Sequence, residues 1–209
     1  MSNNSILKGV KEYYTNKITQ HGCSPLGVDW NSKDSQYLRF SQLTKIINGK
    51  DSFSVLDYGC GYGEFTNYLL ENYNKDDVTL FGYDISDKMI NEANSLFGNN
   101  KNIIFSTILP NKIFDFVIAS GIFNVKLELA NNEDWLAYML QTIHKINDLS
   151  QKGFSFNALT KYSDKEFMKD YLYYADPLFL FDYCKQNFSK NVALLHDYNL
   201  YEFTIIVRK

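Results

Sequence analysis

The sequence contains few cysteines and few histidines, and neither residue type is clustered. The cysteines lie far apart and form no C-x-x-C pair, which argues against a disulfide scaffold and favours a reducing compartment. The histidines are equally dispersed, so the sequence offers no set of metal ligands and we expect no bound metal. The residues concerned are Cys23, Cys60, Cys184, His21, His144 and His196.

Long apolar runs and runs of positive charge are missing as well. No apolar stretch approaches the roughly 20 residues that a membrane-spanning helix needs, and the first residues show no secretion signal. The net charge is −3 and basic residues are not clustered, which argues against a nucleic-acid partner. We therefore expect a cytoplasmic protein without membrane or nucleic-acid partners, and the oligomeric state stays open.

The composition suits one domain with a full-sized core. Of the 209 residues, 45% are hydrophobic and 16% are aromatic, which is enough apolar surface for a single compact fold. No repeat, linker or low-complexity tract divides the chain. We predict one domain over residues 1–209, with a helical cap at about residues 1–48 and an insert, rich in tyrosine and charge, at about residues 160–176.

The stretch 55–66 organises the rest of the chain. A short apolar strand is followed by a helical pattern, and three glycines lie between them at alternate positions: Gly59, Gly61 and Gly63. Because glycine lacks a Cβ, such a turn lets a ligand approach the backbone closely, and N–H groups at the helix start attract its polar groups. Dinucleotide-binding turns read G-x-G-x-x-G, whereas here the spacing is G-x-G-x-G and Glu64 would repel a pyrophosphate.

A second strand supports a nucleoside-containing ligand. About 20 residues after the glycines, an apolar run ends in the acid Asp84. A carboxylate at this position can accept two hydrogen bonds from a ribose diol. The two elements together favour a cofactor that has a ribose and lacks phosphate.

The segment 57–63 reads D-x-G-C-G-x-G and resembles motif I of the class I S-adenosylmethionine (SAM) methyltransferases. The resemblance implies SAM as the cofactor, with the glycines against its methionyl part and Asp84 on the ribose hydroxyls. It also implies that Ile85 touches the adenine, that Ser106 or Thr107 holds the adenine amine, and that Ser120 faces the methyl-bearing end. The cofactor-binding residues expected on this basis are Asp57, Gly59, Gly61, Gly63, Asp84, Ile85, Ser106, Thr107 and Ser120.

The remaining pattern alternates strands and helices. Helices are predicted at about residues 4–20, 32–48, 86–97, 136–146 and 177–184, and further strands at about 102–106, 114–121, 153–159, 192–196 and 202–207. The joint before the last strand is short enough to require an antiparallel hairpin. The pattern therefore predicts an α/β fold with a doubly wound, mainly parallel sheet and an antiparallel last strand. The resemblance implies seven strands in the Rossmann-like order 3-2-1-4-5-7-6.

Several stretches outside motif I resemble a subgroup of small methyltransferases found with surface-polysaccharide and secondary-metabolite genes. They are Tyr13-Tyr14, 27–30, 36–40 and 196–198. This second resemblance implies that Arg39 or Gln36 holds the carboxylate of SAM, a pairing that guanidinium geometry suits. The alternative for Arg39 is a solvated surface position.

Candidate catalytic and substrate-binding residues lie where strands end and in loops, because ligands of open α/β sheets bind there. If the acceptor is a hydroxyl, a base must take its proton. His196 is the leading candidate, since its ordinary pKa lies near neutrality, and a structural histidine is the alternative. Tyr198 and Asn124 are further catalytic candidates. The candidate substrate-binding residues are His21, Trp30, Asn157 and Tyr174.

The leading hypothesis is a SAM-dependent methyltransferase that acts on a hydroxyl or phosphate-type oxygen of a small polar metabolite, such as a sugar or nucleotide-linked intermediate. The alternatives are an N-methyltransferase on a small amine, an inactive SAM-binding subunit, and an NAD-dependent oxidoreductase, which the glycine spacing disfavours. Catalysis would come mainly from positioning, because alignment of the reacting groups is worth roughly 7–11 kcal/mol.

Overall fold

The computed structural model describes residues 3–49 and 51–209, so the first two residues of the predicted cap lie outside the described part. Its α-helices are α1 (Asn3–His21), α2 (Lys33–Leu43), α3 (Glu64–Asn72), α4 (Asp87–Phe97), α5 (Asn132–Asp148) and α6 (Pro177–Asn187). Its strands are β1 (Phe53–Tyr58), β2 (Val78–Tyr83), β3 (Ile103–Ser106), β4 (Phe114–Ala119), β5 (Ser150–Leu159), β6 (Asn191–Leu195) and β7 (Glu202–Arg208).

The strands form one sheet in the order β3-β2-β1-β4-β5-β7-β6. Strands β1 to β5 pair in parallel, and β7 is antiparallel to both β5 and β6. The short joint between β6 and β7 makes the expected hairpin, because parallel neighbours need a longer crossover. The predicted fold class is thus confirmed, including the order of the seven strands.

Helices cover both faces of the sheet, which explains why the central strands are continuous apolar runs. One face packs against α2, α3 and α4, where Phe40, Leu69 and Ile90 are buried. The other face packs against α5 and α6, and the start of α1 reaches it through the fully buried Ile6. This arrangement leaves the carboxyl edge of the sheet free for a site.

The connection from β3 to β4 departs from a regular alternation of strands and helices. Residues 107–113 form no helix, although this connection crosses over β2 and β1 to a strand three positions away in the sheet. Three isoleucines at or near it are largely exposed: Ile104, Ile108 and Ile113. The face of β1, β2 and β3 beside α5 is therefore less covered than the opposite face.

The helix starts follow the expected capping chemistry. Three residues that precede helices accept a backbone N–H with their side chains, which satisfies a donor that the helix itself cannot pair. They are Ser32, Ser86 and Asp176. Helix α5 begins before its apolar stripe, because Asn131 accepts the N–H of Asp134 at 2.8 Å.

Two further features bear on the classes of function. No helix within the described ranges is long and apolar enough to cross a membrane. The same ranges hold no group of three His, Cys, Asp or Glu side chains arranged for a metal ion. All three cysteines are free thiols; Cys23 is exposed, and the other two are buried.

Candidate functional site

A cavity of about 330 Å³ lies at the carboxyl edge of the sheet, where β1, β2 and β4 end. Ligands of open α/β sheets bind at this edge. The loops after the three strands form its floor, with Asp57 to Gly61, Asp84, Ile85 and Ser120 to Ile122. Its walls include Leu7, Val10, Lys11, Tyr14, Val28, Trp30, Gln36, Tyr138, Gln141, Thr142 and Lys145.

The turn after β1 brings bare backbone to the cavity. Gly59 and Gly61 have φ angles of 85° and 54°, in the left-handed region that favours glycine. A Cβ on Gly59 would lie 2.3 Å from Cγ2 of Ile122, and a Cβ on Gly61 would lie 3.0 Å from Cγ1 of Val28. Both positions therefore require glycine for their conformation, and a Cβ at Gly59 would also displace the side chain of Ile122.

Asp84 ties the end of β2 to this turn. Its Oδ2 accepts the Gly61 N–H at 3.0 Å, and its Oδ1 accepts the Ser86 N–H at 2.8 Å. Burial raises the pKa of the Asp84 carboxyl, and these two N–H groups oppose that rise by stabilising the anion. Asp84 thus presents to the cavity a carboxylate whose orientation the backbone fixes.

Three buried polar atoms of cavity-lining residues have no hydrogen-bond partner within the described chain: Gln36 Oε1, Asp57 Oδ2 and Ser120 Oγ. A fourth such atom, Thr66 Oγ1, belongs to a residue outside the lining. A buried acceptor left unpaired costs about 1–3 kcal/mol, so unpaired acceptors gathered in one cavity indicate a ligand that supplies donors.

The floor of the cavity is acidic. Burial, with a smaller contribution from the charge of Asp84, raises the pKa of Asp57 to about 8. The described lining residues include two lysines. Lys11 pairs with Asp87 at 2.6 Å, and Lys145 is exposed on α5. A positively charged ligand with N–H donors would favour the ionised form of Asp57, whereas the negative charge of a pyrophosphate would oppose that ionisation and would lie beside the Asp84 carboxyl.

Helix α1 lies across the cavity as a roof. The Lys11 ammonium joins it to Asp87 on α4, and the hydroxyls of Thr15 and Ser86 share a hydrogen bond of 2.9 Å. Ile18, only 2% exposed, packs into a small buried cluster with side chains of the glycine turn and α4. The roof is therefore docked onto the start of α4 by polar and apolar contacts.

A buried carboxylate, Glu202 at the start of β7, organises the far end of the site. It is 1% exposed, and it accepts hydrogen bonds from Arg39 Nε at 2.8 Å, Asn157 Nδ2 at 2.6 Å and Asn124 Nδ2 at 3.2 Å. Asn157 Oδ1 in turn accepts the Gly121 N–H at 2.7 Å. This set of side chains, the Glu202 network, joins α2, β5 and β7 to the cavity floor.

Trp30 packs at the same end of the cavity. The guanidinium carbon of Arg39 lies 4.1 Å from the centre of the Trp30 ring, which is a cation–π distance. Gly121 has a φ of 74°, and a Cβ there would lie 2.4 Å from Cζ2 of Trp30. Trp30 therefore packs directly on the backbone of the floor while Arg39 holds its ring.

The predicted site residues fall into two groups. Those that line the cavity are Gln36, Asp57, Gly59, Gly61, Asp84, Ile85, Ser120 and Trp30. Those outside the lining are His21, Arg39, Gly63, Ser106, Thr107, Asn124, Asn157, Tyr174, His196 and Tyr198. Apart from Trp30 and Gln36, the first group comes from the ends of three neighbouring strands, as the sequence predicts for a site at the carboxyl edge.

Residues of the second group make structural contacts instead. A Cβ on Gly63, whose φ is 89°, would lie 3.0 Å from the Phe105 ring, so this glycine lets α3 pack against β3. Ser106 Oγ accepts a backbone N–H of its own turn, and the Tyr174 hydroxyl accepts a backbone N–H within the insert. His21 ends α1, and its carbonyl accepts a hydrogen bond at 3.0 Å from the loop that follows.

The three predicted catalytic residues also lie outside the cavity lining. His196 is exposed, and its ring centre is 6.3 Å from that of Tyr162. Tyr198 is buried and its hydroxyl bonds that of Thr204 at 3.0 Å, while Asn124 belongs to the Glu202 network. A general base must come within about 3 Å of the proton it removes, so the position of His196 does not support its predicted role.

The sequence predicts a helical cap, but it does not identify the individual residues with which two helices line the cavity. Helix α1 contributes Leu7, Val10, Lys11 and Tyr14, and α5 contributes Tyr138, Gln141, Thr142 and Lys145. Helical spacing could have identified both sets in the sequence. In each helix the lining residues stand at positions i, i+3, i+4 and i+7, which share one face of a helix. On α5 this face is polar and lies beside the apolar stripe that identified the helix.

Comparisons with known families and proteins point the same way as the geometry. A family model described as a methyltransferase domain matches residues 55–146. A protein of Mycobacterium tuberculosis named "Putative methyltransferase Rv1506c" is 48% identical over 166 residues, a match that covers 79% of this chain and 98% of that protein.

Solved methyltransferase structures share the fold at low sequence identity. Phosphoethanolamine N-methyltransferase 1 of Haemonchus contortus, in complex with phosphoethanolamine and S-adenosylhomocysteine, has a TM-score of 0.63 and 11% identity over 100% of this chain and 50% of its own. The magnesium protoporphyrin IX methyltransferase of Synechocystis, with bound SAH, has a TM-score of 0.55 and 16% identity over 99% of this chain and 86% of its own. Identities this low establish similarity of fold alone.

Proposed function

Because this chain belongs to the class I SAM-dependent methyltransferases, we propose that it methylates an oxygen, hydroxyl or phosphate-type, of a small polar metabolite. The acceptor class is a sugar or a nucleotide-linked intermediate, such as surface-polysaccharide biosynthesis uses. A cavity of about 330 Å³ beside α1 supports a small acceptor, because concave sites of this size take small molecules.

SAM, the cofactor of this family, supplies an electrophilic methyl group carried on a sulfonium. The residues of the floor fit such a ligand. Gly59 and Gly61 bring backbone to the cavity in the left-handed conformation that favours glycine. Asp84 offers an oriented acceptor for ribose hydroxyls, and Ile85 beside it offers an apolar contact for the adenine.

The unpaired acceptors beside two buried acids are the observation that carries the proposal. Gln36 Oε1, Asp57 Oδ2 and Ser120 Oγ need hydrogen-bond donors, and an amino acid ammonium supplies them. The charge of a sulfonium would also offset the repulsion between Asp57 and Asp84. Neither feature suits a dinucleotide, whose pyrophosphate is an anion.

The cavity offers hydrogen-bond donors for the acceptor in place of a strong base. Burial raises the pKa of Tyr14, Tyr58 and Tyr83 and brings that of Tyr138 to about 12, so all four phenols stay protonated at neutral pH. A protonated phenol can orient an acceptor oxygen and leave one of its lone pairs free to attack. An ionised phosphate-type oxygen needs no base, whereas a hydroxyl must release its proton to water or to a carboxylate.

The test is transfer of label from methyl-labelled SAM into a deproteinised extract of polar metabolites, followed by identification of the methylated atom. A labelled O-methyl product is the expected result. A labelled N-methyl product would favour the small-amine alternative. Tight binding of SAM without any labelled product would favour an inactive SAM-binding subunit. Asp84→Ala serves as the control that should lose labelling together with SAM binding, since it lacks the ribose acceptor.

A further inference from the structure

The part of the cavity nearest α5 has a chemistry of its own. It is lined by Tyr58, Tyr83, Tyr138, Gln141, Thr142 and Lys145, and we call it the tyrosine compartment. Its first two tyrosines end β1 and β2 on the sheet face that the β3–β4 connection leaves without a helix. It is continuous with the floor around Asp84, because both belong to one cavity.

Ring faces and phenol donors meet in this compartment. The ring centres of Tyr58 and Tyr83 lie 5.1 Å apart, and their planes are tilted by 55°. Beyond the effect of burial, the hydroxyls of Tyr83 and Tyr138 raise the pKa of Tyr58, and that of Tyr83 raises the pKa of Tyr138, as expected for neighbouring phenols. No described residue makes a hydrogen bond with the hydroxyl of Tyr58 or Tyr83, so both donors are available to a ligand. Such walls suit a ring-shaped ligand that carries oxygen acceptors.

A single cation lines this compartment. Lys145 lies one helical turn after Gln141, is exposed, and forms no ion pair with any described residue. An ammonium at this position would attract an anionic group of a bound ligand. The adenosine of SAM carries no anion, so the cofactor would leave this charge without a partner.

We propose that the tyrosine compartment binds the methyl acceptor, and that this acceptor is a ring compound with a phosphate or carboxylate group held by Lys145. The inference rests on the proposed function, because it assumes that an acceptor is methylated. The ring lies against the tyrosine faces, and the phenols donate to its oxygens. The anionic group fixes the direction in which the acceptor enters.

The first measurement separates the acceptor from the cofactor. Tyr138→Phe, Lys145→Gln and the control Lys101→Gln, an exposed lysine outside the lining, are compared with the parent for their affinity for S-adenosylhomocysteine by calorimetry. We expect all four proteins to agree within about twofold, because the compartment does not hold the cofactor. A tenfold loss in Tyr138→Phe or Lys145→Gln would show that adenosine occupies the compartment and would overturn the proposal.

The second measurement uses the product labelled from the metabolite extract. We expect the product to bind an anion-exchange column. With the purified acceptor, we expect Lys145→Gln to raise KM at least tenfold with little change in kcat, and Lys101→Gln to change neither. A neutral product, or an unchanged KM, would mean that Lys145 only complements the dipole of α5 and would overturn the proposal. If the parent enzyme binds SAM but labels nothing, the proposed function itself fails, and the inference fails with it.

Discussion

At the scale of single residues, the Asp57 carboxyl lowers the stability of the protein without ligand. Burial, and then the neighbouring Asp84 charge, raises its pKa to about 8, whereas the pKa of an aspartate in an unfolded chain is about 3.9. Between these two values the folded state holds a proton that the unfolded state has released. The contribution of Asp57 to the free energy of unfolding therefore decreases as the pH rises from about 4 to about 8.

Asp57→Asn removes this penalty and keeps the shape of the side chain. Without ligand, we expect the variant to match the parent near pH 4 and to be the more stable protein at pH 8. With SAM bound we expect the parent to be the more stable protein, because the variant lacks a charge-assisted hydrogen bond from SAM to Asp57 worth about 1.5–3 kcal/mol. The affinity of the variant for SAM should therefore fall at least tenfold. Thermal denaturation across this pH range and calorimetry measure the two effects. Parallel pH profiles for both proteins would mean that Asp57 ionises normally in the folded state.

Glu202 is the residue whose loss should disturb the far end of the site. In Glu202→Gln the buried Arg39 guanidinium has no counter-charge, and breaking a buried pair in this way costs about 3–5 kcal/mol. We also expect a lower kcat in the folded protein, because Arg39 holds Trp30 and Asn157 holds the Gly121 N–H. Both Tm and kcat are measured.

The matched control for Glu202 is Ser155→Ala. Ser155 is fully buried on β5, two positions before Asn157, and its Oγ donates to the carbonyl of Leu43 at 2.9 Å. We expect this variant to lower Tm and to keep the parent kcat. If Glu202→Gln also keeps the parent kcat, the network supports the fold and does not position the site.

Residue roles could be predicted only where a local pattern encodes them. Asp57 and Asp84 follow from motif spacing at two strand ends, and both line the cavity. Arg39 could not be paired with Glu202 from the sequence, because 163 positions separate them and neither stands in a motif with the other. Asn157 lies inside β5, two residues before its end, and its two hydrogen bonds turn it toward the network and the Gly121 backbone.

At the scale of elements, apolar packing docks α1 more strongly than its surface charges do. The Lys11–Asp87 side chains are 42% and 69% exposed, and exposed ion pairs contribute about 0–1 kcal/mol. Ile6 and Ile18 are almost fully buried at opposite ends of the helix. Truncating one of these isoleucines should therefore loosen the contact of α1 with the rest of the protein, whereas removing the ion pair should not.

Ile6→Ala tests the roof. The change should cost about 2–5 kcal/mol, because it removes buried methyl groups and leaves a cavity, and part of that loss should appear as opening of α1. We expect weaker binding of S-adenosylhomocysteine and faster proteolysis in the loop 22–27. The control Ile146→Ala removes an equally buried isoleucine from α5 and should change stability alone. Equal effects of both variants on ligand affinity would show that α1 is ordinary packing.

Helices and strands with a clear hydrophobic period could be predicted from the sequence. The role of a polar helix face could not. The apolar stripe of α5 identified the helix, but its polar face at 138, 141, 142 and 145 gains meaning only from the cavity that it meets. The β3–β4 connection carries no helical period, so the uncovered sheet face beside it became visible only in three dimensions.

At the scale of the whole molecule, the topology followed from local signals that agree with one another. Alternating strands and helices predict a parallel sheet, the short joint at 196–201 forces the final hairpin, and the glycine turn after β1 marks the edge that binds ligand. The strand order came from the family resemblance and is confirmed. The single domain with its cap and insert stays a prediction.

The acidity of the floor leads to a prediction for the stability of the whole protein. A ligand present at 100 times its Kd stabilises the folded state by about 2.7 kcal/mol, which for a domain of this size corresponds to a rise in Tm of about 5–10 °C. We expect such a rise with SAM and with S-adenosylhomocysteine, and none with NADH at the same concentration, because its pyrophosphate would face Asp57 and Asp84. At equal concentrations SAM should give the larger rise, since its sulfonium adds a positive charge. That difference should shrink in Asp57→Asn, and a rise with NADH equal to that with SAM would contradict the charge argument.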